Sequence, residues 1–405
     1  MVMSVFADRF IEAADISRTQ LSDAYLIGTL LSGLLVTFGG VWFDRLGARI
    51  FYTFFVILFG FAVAGMSQID RFARVLQEWI SPADWVKVAA FVIGFFLIRF
   101  LGQGMVTIGA RSMLSKWWNR KRGLVSAISG VAVASFFSTA PVLLEMQVEA
   151  LGWRGAWIFN GIALSTIVAF CGWLFFRDNP EECGLEMDGP YAGEERVEAN
   201  SDMIIVRDFT RAEAMRTYSF WVFTLGIAAQ GMFATAYTFH VVDIGRASGI
   251  DKERILGYFA FSLIATIPTN LICGYIAEFI RLRFILVLLG ASGALMGVGM
   301  LLLPNTSGEI LLILGMGTSW GTYPVLSNVT FARYFGRTHL GAISGLGMSL
   351  TVAGSAFGPA FFARGSAWFN DYTEVTFLMI ATYLVVCVAA LFASNPQREL
   401  AEAES

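Results

Sequence analysis

Long apolar stretches separated by short polar gaps are the dominant pattern along this chain. A helix needs about 20 mostly apolar residues to cross the hydrocarbon core of a bilayer. Reading the chain with a window of that length predicts eleven complete spans. Their approximate bounds are residues 23–43, 50–67, 88–113, 123–147, 155–176, 219–243, 254–277, 283–303, 309–331, 340–363 and 373–394. The pattern therefore predicts an all-α integral membrane protein.

A motif that occurs twice divides the chain into two halves. The string Gly40–Arg49 begins with a glycine, has an acidic residue four positions later and ends in an arginine. The string Gly274–Arg283 has the same three residue types at identical spacing. A second repeat, Ala-Ile-Ser-Gly, stands at Ala127–Gly130 and at Ala342–Gly345, early in two corresponding helices. Duplicated halves of this kind are common among secondary transporters. We therefore expect two pseudo-symmetric bundles of six helices each.

The repeat also bears on the first helix. Ile16 aligns with Ile250, and the helix before Ile250 begins near Ser219. The counterpart of that helix would begin about 15 residues before Met1 if it has the usual spanning length. We expect the first helix to be truncated in this chain, with only its far end present. Either the true start lies upstream, or the chain begins with a half-length helix.

The apolar stretches predict two bundles joined by a linker. The N-terminal bundle covers residues 1–176 and the C-terminal bundle residues 217–394, with a tail over residues 395–405. The polar linker covers residues 177–216, and within it Thr210-Arg211-Ala212-Glu213 matches a capping box, which marks a helix start. We expect a short amphipathic helix on the membrane surface at that point.

Basic residues concentrate in one set of the gaps between spans. Such loops face the cytoplasm in membrane proteins. We therefore expect a multi-pass protein of the inner (plasma) membrane, with a cytoplasmic linker and with both termini of the intact protein in the cytoplasm. The residues of this set are Arg45, Arg49, Lys116, Arg120, Lys121, Arg122, Arg177, Arg207, Arg211, Arg216, Arg281, Arg283, Arg333 and Arg337.

Composition narrows the classes of function. The 405 residues are 56% hydrophobic and 15% charged, with a net charge of −3, which does not favour a nucleic-acid partner. The four cysteines form no close pair, and the sequence has no Walker loop and no cluster of His and Cys. We expect no cofactor, no metal site and no enzymatic activity.

These motifs together resemble the major facilitator superfamily over essentially the whole chain. The string Gly40–Arg49 is similar to that family's signature loop between helices two and three, and Arg99–Gly104 to its fourth-helix arginine motif. Leu151–Arg154 is similar to a short sequence that is common in this family just before the sixth helix. Glu213–Arg216, leading into Phe220–Trp221, resembles the start of helix seven in the bacterial monocarboxylate and oxalate/formate branch. The resemblance implies rocker-switch alternating access.

The two motif copies predict a conformational latch. Carboxylate–guanidinium pairs and helix-terminus dipoles can hold two bundles in one state, while glycines allow tight turns and close approach. The other interpretation is that Arg45 and Arg49 only anchor the topology. The predicted latch residues are Gly40, Asp44, Arg45, Gly47, Arg49, Glu278 and Arg283.

Arg99 is the main candidate for binding a substrate. It falls near the middle of the predicted span 88–113, which is the fourth helix when the truncated first helix is counted. An ionisable side chain there costs several kcal/mol and is by default a functional candidate. A guanidinium can hold a carboxylate through two parallel hydrogen bonds, and no acidic residue lies near the midplane of the predicted spans. This favours a small organic anion. The alternative is that Arg99 binds backbone carbonyls or Gln103 within its own bundle.

Polar and aromatic residues of the inner helices are further candidates. Besides Arg99 and Gln103, we expect substrate contacts from Gln230, Tyr237, Trp320, Tyr323 and Asn328. The competing interpretation is that such residues join helices by hydrogen bonds and packing. His240, in the outer third of the seventh helix, is a candidate for proton coupling because histidine titrates near neutral pH. It could equally be a packed, hydrogen-bonded core residue.

The sequence thus favours a secondary active transporter that moves a small, monocarboxylate-like organic anion by alternating access. The transport would be proton-coupled or an exchange. Efflux of an apolar or drug-like compound stays open, as does a non-transporting sensor or receptor on the same scaffold. We expect a small-molecule substrate, a lipid bilayer around the protein, no nucleic acid and a monomer.

Overall fold

The computed structural model describes residues 2–36, 39–117, 122–178, 180–186, 206–277, 280–336 and 339–398. All regular elements of these residues are helices. Nine helical stretches within them are long and apolar enough to cross a membrane. The prediction of an all-α integral membrane protein is confirmed.

The helices fall into two compact units. The N-terminal unit comprises Val2–Ser126 and Leu143–Arg196, and the C-terminal unit comprises Ala127–Val142 and Val197–Ser405. The segment 127–142 lies in the middle of one long helix, so the chain passes from one unit to the other and back within that helix.

The first eight helices cover the chain up to residue 175. They are α1 (Val2–Ala14), α2 (Arg18–Val36), α3 (Gly39–Gly65), α4 (Ile69–Trp79), α5 (Asp84–Ile98), α6 (Thr107–Trp117), α7 (Arg122–Ala163) and α8 (Ala169–Phe175). A π-helical segment, Arg99–Val106, joins α5 to α6, and another, Leu164–Val168, joins α7 to α8. These junctions therefore continue each span rather than interrupting it.

Two of these helices, α3 and α7, each contain a break at a glycine, and the parts on either side of the break belong to different spans. Gly47 in α3 has φ 75° and ψ 163°, and Gly152 in α7 has φ 70° and ψ 162°. This backbone region is essentially restricted to glycine. Each break lies between two predicted spans, so the chain reverses where the polar gaps indicate.

The short helix α1 packs into the N-terminal unit through aromatic side chains. Phe6 and Phe10 are almost fully buried. The ring of Phe6 lies 4.8 Å from that of Trp157, and Phe10 contacts Phe91 edge-on at 5.5 Å. Such pairs contribute about 0.5–1.5 kcal/mol each beyond their burial. These contacts fix a helix of only 13 residues in place.

Eight further helices follow α8, and two of them, α13 and α14, are packed closely. They are α9 (Arg211–Ala214), α10 (Tyr218–Ala247), α11 (Lys252–Phe261), α12 (Leu263–Ile276), α13 (Leu282–Leu301), α14 (Thr306–Phe335), α15 (Leu340–Phe369) and α16 (Thr373–Leu391). A Cβ atom at Gly315 of α14 would overlap the backbone of Met296 in α13. Small residues allow this close helix approach in membranes.

The end of the linker carries the predicted capping box. The Thr210 amide donates to Glu213 Oε2 at 2.8 Å, and the Glu213 amide donates to Thr210 Oγ1 at 3.3 Å. Because the Thr210 amide and the Thr210 hydroxyl both donate hydrogen bonds to the carboxylate, the pKa of Glu213 lies below its usual value. The helix that follows, α9, is a single turn of 4 residues. The helix start is thus where the sequence indicates, and the helix is short.

A glutamine near the end of the described chain holds the linker against the C-terminal unit. Gln397 is 1% exposed, and its Oε1 accepts hydrogen bonds from the amides of Val206 and Arg207 at 3.0 and 3.1 Å. Its Nε2 donates to the carbonyls of Arg207 and Tyr334 at 2.7 and 3.1 Å. One side chain thereby joins the linker to the end of α14.

Candidate functional site

Arg99 begins the π-helical segment between α5 and α6. It is half-buried, and its guanidinium lies 5.2 Å from the ring centre of Tyr25, a buried residue of α2. Gln103, four residues further along, is exposed. Single π-helical turns inside α-helices occur frequently at functional sites, because they displace side chains from the regular register. The structure therefore presents Arg99 and Gln103 on an irregular part of the span.

Glycines hold this segment close to its neighbours. A Cβ atom at Gly104 would overlap the side chain of Val36 in α2, and one at Gly102 would overlap the ring of Phe59 in α3. The glycines of the fourth-helix motif thus permit packing on both sides. Arg99 is consequently placed by close contacts of α2 and α3 with the π-helical segment.

An aromatic cluster in the C-terminal unit contains two further candidates. The indole of Trp320 stacks on Phe259 at 5.8 Å and meets Phe137 edge-on at 5.4 Å. Tyr237 contacts the same Phe259 ring at 5.8 Å. Within the described part of the chain, the Tyr237 hydroxyl and the Trp320 Nε1 atom are buried without a hydrogen-bond partner. The cluster therefore offers two donor groups beside apolar rings.

The face of α14 that carries Trp320 continues with other candidates. Tyr323 follows three residues later, at the spacing that places side chains on one side of a helix, and it is half-buried. Asn328 is exposed, further along the same helix. Trp320 and Tyr323 therefore lie on the same face of α14.

Gln230 lies in a buried hydrogen-bond network between helices. It is 2% exposed, its Nε2 donates to Ser319 Oγ at 3.3 Å, and its Oε1 accepts from Tyr383 Oη at 2.7 Å. These bonds join α10 to α14 and α16. The geometry favours a packing role, which is the competing interpretation of this residue.

The first motif copy lies at the Gly47 break and makes contacts inside the N-terminal unit. The Ala48 amide donates to the Asp178 carboxylate. Arg49 Nε donates to the Trp173 carbonyl at 2.7 Å, and its guanidinium lies 4.0 Å from the centre of the Trp173 ring. The loop is therefore fastened to the end of α8 and the residues after it.

The other predicted latch residues have different surroundings. Arg45 is exposed, and Gly40 belongs to the helical part of α3. Arg283 donates to the Leu391 carbonyl at 3.1 Å, within the C-terminal unit. The side chain of Asp44 and the whole of Glu278 lie outside the described residues. The latch therefore stays a prediction.

His240 is fully buried and hydrogen-bonded on both ring nitrogens. Its Nε2 lies 2.9 Å from the Pro359 carbonyl, and its Nδ1 lies 3.2 Å from Tyr372 Oη. Tyr372 Oη also donates to Asp243 Oδ2 at 2.5 Å. The histidine of the sequence prediction thus belongs to a chain of polar groups from α10, α15 and the residue before α16.

A cavity of about 290 Å³ adjoins this chain of groups. Hydrogen bonds from Thr373 hold the pKa of Asp371, one of its lining residues, below the usual value. The Asp371 carboxylate accepts from the Thr373 amide at 2.9 Å. The lining residues are Asp243, Arg246, Ala247, Ser366, Asn370, Asp371 and Tyr372.

Sequence reasoning did not find Tyr372 as a partner of His240. Asp243 stands three residues after His240, a spacing that places both on one helix side. Tyr372 is far along the chain, and no local pattern connects it to α10. Among the described residues, no group of three His, Cys, Asp or Glu side chains is placed to hold a metal ion.

Apolar helices that carry an arginine, a buried histidine and buried hydrogen-bond donors are the arrangement of a membrane transport protein. The chain belongs to the Major Facilitator Superfamily, whose sequence model matches residues 1–359. The resemblance carried by the motifs is confirmed, and members of this family are transporters.

Two monocarboxylate transporters are similar in sequence. Monocarboxylate transporter 14 of Mus musculus is 31% identical over 106 residues, 26% of this chain and 20% of that protein. Monocarboxylate transporter 3 of Rattus norvegicus is 25% identical over 284 residues, 69% of this chain and 50% of that protein. The aligned part of this chain thus spans half of these relatives' lengths or less.

Solved structures share the fold. A bacterial homologue of the human lysosomal transporter Spinster, inward-facing and occupied, has a TM-score of 0.61 at 16% sequence identity. The alignment covers 97% of this chain and 91% of that one. The unoccupied inward-facing form gives 0.62 at 15% identity, with coverage of 98% and 93%. At such low identity these likenesses show the fold alone.

Proposed function

We propose that this transporter moves a small, monocarboxylate-like organic anion across the membrane by alternating access, as a proton-coupled or exchange carrier. The protein acts as a monomer in the inner (plasma) membrane. The linker and both termini of the intact protein face the cytoplasm. The residues of the two motif copies stabilise one state of the transport cycle.

The half-buried guanidinium of Arg99 on a π-helical turn carries this proposal. A charge inside a membrane span costs several kcal/mol and is retained where it has a function. The guanidinium has five N–H donors in a planar fork, which fits a carboxylate. The guanidinium lies 5.2 Å from the centre of the Tyr25 ring, a cation–π contact that orients it.

Donors in the C-terminal unit support the same substrate class. The Tyr237 hydroxyl and the Trp320 indole N–H can each donate a hydrogen bond to a carboxylate oxygen. The rings of Phe137 and Phe259 beside Trp320 suit a short apolar chain attached to that carboxylate. Two relatives are named monocarboxylate transporters, which agrees with this class.

Uptake of radiolabelled L-lactate, formate and oxalate into proteoliposomes tests the proposal. We expect wild-type uptake of at least one anion, and a loss of about tenfold to a hundredfold in Arg99→Gln, the size of a charge-assisted hydrogen bond. Arg99→Lys retains part of the uptake. Arg71→Gln, an exposed arginine of the same unit, is the matched control and stays at the wild-type rate.

The possible outcomes separate the hypotheses. Wild-type uptake by Arg99→Gln removes Arg99 from the substrate site. A wild-type protein that moves none of the three anions but expels an apolar dye supports efflux instead. Binding of an anion without any flux supports a sensor on the same scaffold.

A further inference from the structure

The chain of hydrogen bonds around His240 runs from a buried carbonyl to the cavity of about 290 Å³. It begins at the Pro359 carbonyl in α15, passes through His240 of α10 and Tyr372, and ends at Asp243. His240 is fully buried, whereas Asp243 and Tyr372 line the cavity. A proton in the cavity therefore meets Asp243 and Tyr372 before His240.

The hydrogens in this chain can be counted. Pro359 offers only a carbonyl, so Nε2 of His240 must carry a hydrogen. Tyr372 has one phenolic hydrogen and contacts both Nδ1 of His240 and Oδ2 of Asp243. With neutral His240 and ionised Asp243, both of these atoms are acceptors. Two acceptors then share a single hydrogen.

One added proton resolves this conflict in either of two arrangements. If the proton is on Asp243, the carboxylic acid donates to Tyr372 Oη, and the phenol donates to Nδ1 of His240. If the proton is on His240, Nδ1–H donates to Tyr372 Oη, and the phenol donates to the Asp243 carboxylate. Both contacts then contain a hydrogen, and the three side chains together have no net charge.

We propose that Asp243, Tyr372 and His240 form one binding site for a single proton, and that this proton drives transport. The 2.5 Å contact between Tyr372 and Asp243 is short, as for a charge-assisted O–H···O bond. A proton from water in the cavity binds Asp243, which passes a proton to Tyr372 while the phenol passes its own to His240. No bond other than O–H and N–H changes, and the charge balances.

Two charged residues besides Asp243, Arg246 and Asp371, line the cavity. Arg246 lies 3.4 Å from Asp243 and is mostly exposed, and Asp371 is bound to Thr373. Further charged groups lie on the neighbouring helices. Arg254 of α11 pairs with Glu309 of α14 at 2.8 Å, Arg364 of α15 donates to the Ala360 carbonyl, and Glu374 begins α16.

The position of the site explains how a proton acts on helices. Tyr372 lies in the turn between α15 and α16, whereas His240 and Asp243 lie on α10. With the proton bound, α10 is joined to this turn by two complete hydrogen bonds. Without the proton, one of the two contacts lacks a hydrogen, and the connection between α10 and the turn is weaker. This coupling step, unlike the proton binding itself, rests on the proposed transport function.

Proton binding can be tested without any substrate, because the chain has two histidines. In a His339→Gln background, ¹⁵N-histidine NMR in nanodiscs reports His240 alone. We expect its ring signals to titrate between about pH 5 and 9. In Asp243→Asn or Tyr372→Phe the midpoint moves to lower pH by about one unit or more, since the partner of the imidazolium is lost.

Matched variants control for side effects on the cavity and on folding. Asp371→Asn removes a carboxylate that lines the same cavity, and Tyr218→Phe removes a hydroxyl at the other end of α10. Both keep the wild-type midpoint. A His240 that stays in one protonation state across this range, or a midpoint unmoved by Asp243→Asn in a folded protein, overturns the proton site.

Transport coupling is tested separately with L-lactate in proteoliposomes. An inward proton gradient accelerates wild-type uptake, whereas Tyr372→Phe loses this acceleration and retains lactate exchange at equal pH on both sides. Gradient-driven uptake by Tyr372→Phe at the wild-type rate overturns the coupling. If the wild type moves formate or oxalate but no lactate, the same experiment uses that anion. If it moves none of the three, the proposed function fails, while the NMR result still decides on the proton site.

Discussion

Gly47 shows how one residue fixes the geometry of a whole loop. Its φ of 75° with ψ near 163° allows the chain to turn between two spans. The hydrogen bond from the Ala48 amide to Asp178 then holds the turn, and the carboxylate occupies the space where a side chain at Gly47 would project. Both the backbone conformation and the neighbouring carboxylate therefore require glycine at this position.

Gly47→Ala should destabilise the folded protein by about 1–3 kcal/mol, because alanine rarely adopts this backbone conformation. The second motif copy provides the matched control. Gly274 lies in helix α12 with open space around it, so Gly274→Ala should be neutral or stabilise by up to about 1 kcal/mol. Apparent melting temperatures in detergent compare the two. Equal effects at both glycines would contradict the role assigned to the turn.

At the scale of elements, α4 is held by a single buried acid. Asp70 is 2% exposed, and both of its oxygens accept hydrogen bonds from Arg154 at 2.8 Å. Arg154 also donates to the Ser67 carbonyl just before α4. This bidentate pair joins a helix with several charged residues to the start of the predicted span 155–176. The connection outside the spans is thus fixed rather than loosely attached.

Asp70→Asn should lower the stability of the N-terminal unit by about 2–3 kcal/mol. The substitution leaves the guanidinium of Arg154, which is one-third exposed, without its charged partner. Asp84→Asn breaks a pair with Lys87 in which the acid is 71% exposed, and should change stability by less than about 1 kcal/mol. Thermal denaturation in detergent measures both variants. Similar losses from the two substitutions would argue against the buried pair.

The apolar pattern predicted the helices well because spanning length is set by the bilayer, whatever the fold. Their reversal points were also visible, since Gly47 and Gly152 lie in the polar gaps. The π-helical turn at Arg99–Val106 was not predictable. It depends on how α2 and α3 pack beside it, and no residue type in that stretch specifies it.

Sites that depend on distant partners were harder to infer. The hydrogen bonds of Gln230 to Ser319 and Tyr383 exist only once three helices are assembled. The same holds for the contact between Tyr372 and His240. Arg99 could be selected from the sequence because a charge in an apolar span is conspicuous by itself. A polar residue in a span could be recognised, but its partner could not.

At the scale of the whole molecule, the orientation in the membrane is the prediction most open to a direct check. Cys183 is exposed in the linker segment Pro180–Cys183. With the other three cysteines replaced by serine, a membrane-impermeant maleimide should label Cys183 in inside-out vesicles and not in right-side-out vesicles. The positive residues near the linker are the physical reason.

Ser81→Cys, in the connection between α4 and α5, is the matched control for this labelling. On a background without the native cysteines, it should react in right-side-out vesicles alone. Labelling of Cys183 from the outside would reverse the orientation, and with it the side from which protons reach the cavity beside Asp243.

The bonds made by Gln397 matter for anyone who shortens or tags this protein. Apolar character ends near residue 394, so a design based on hydropathy would remove everything beyond it. That cut would delete the side chain of Gln397, which makes four hydrogen bonds to the backbone. The Tyr334 carbonyl and the backbone amides of Val206 and Arg207 would lose this partner. An affinity handle is therefore better placed after Arg398, where the glutamine is retained.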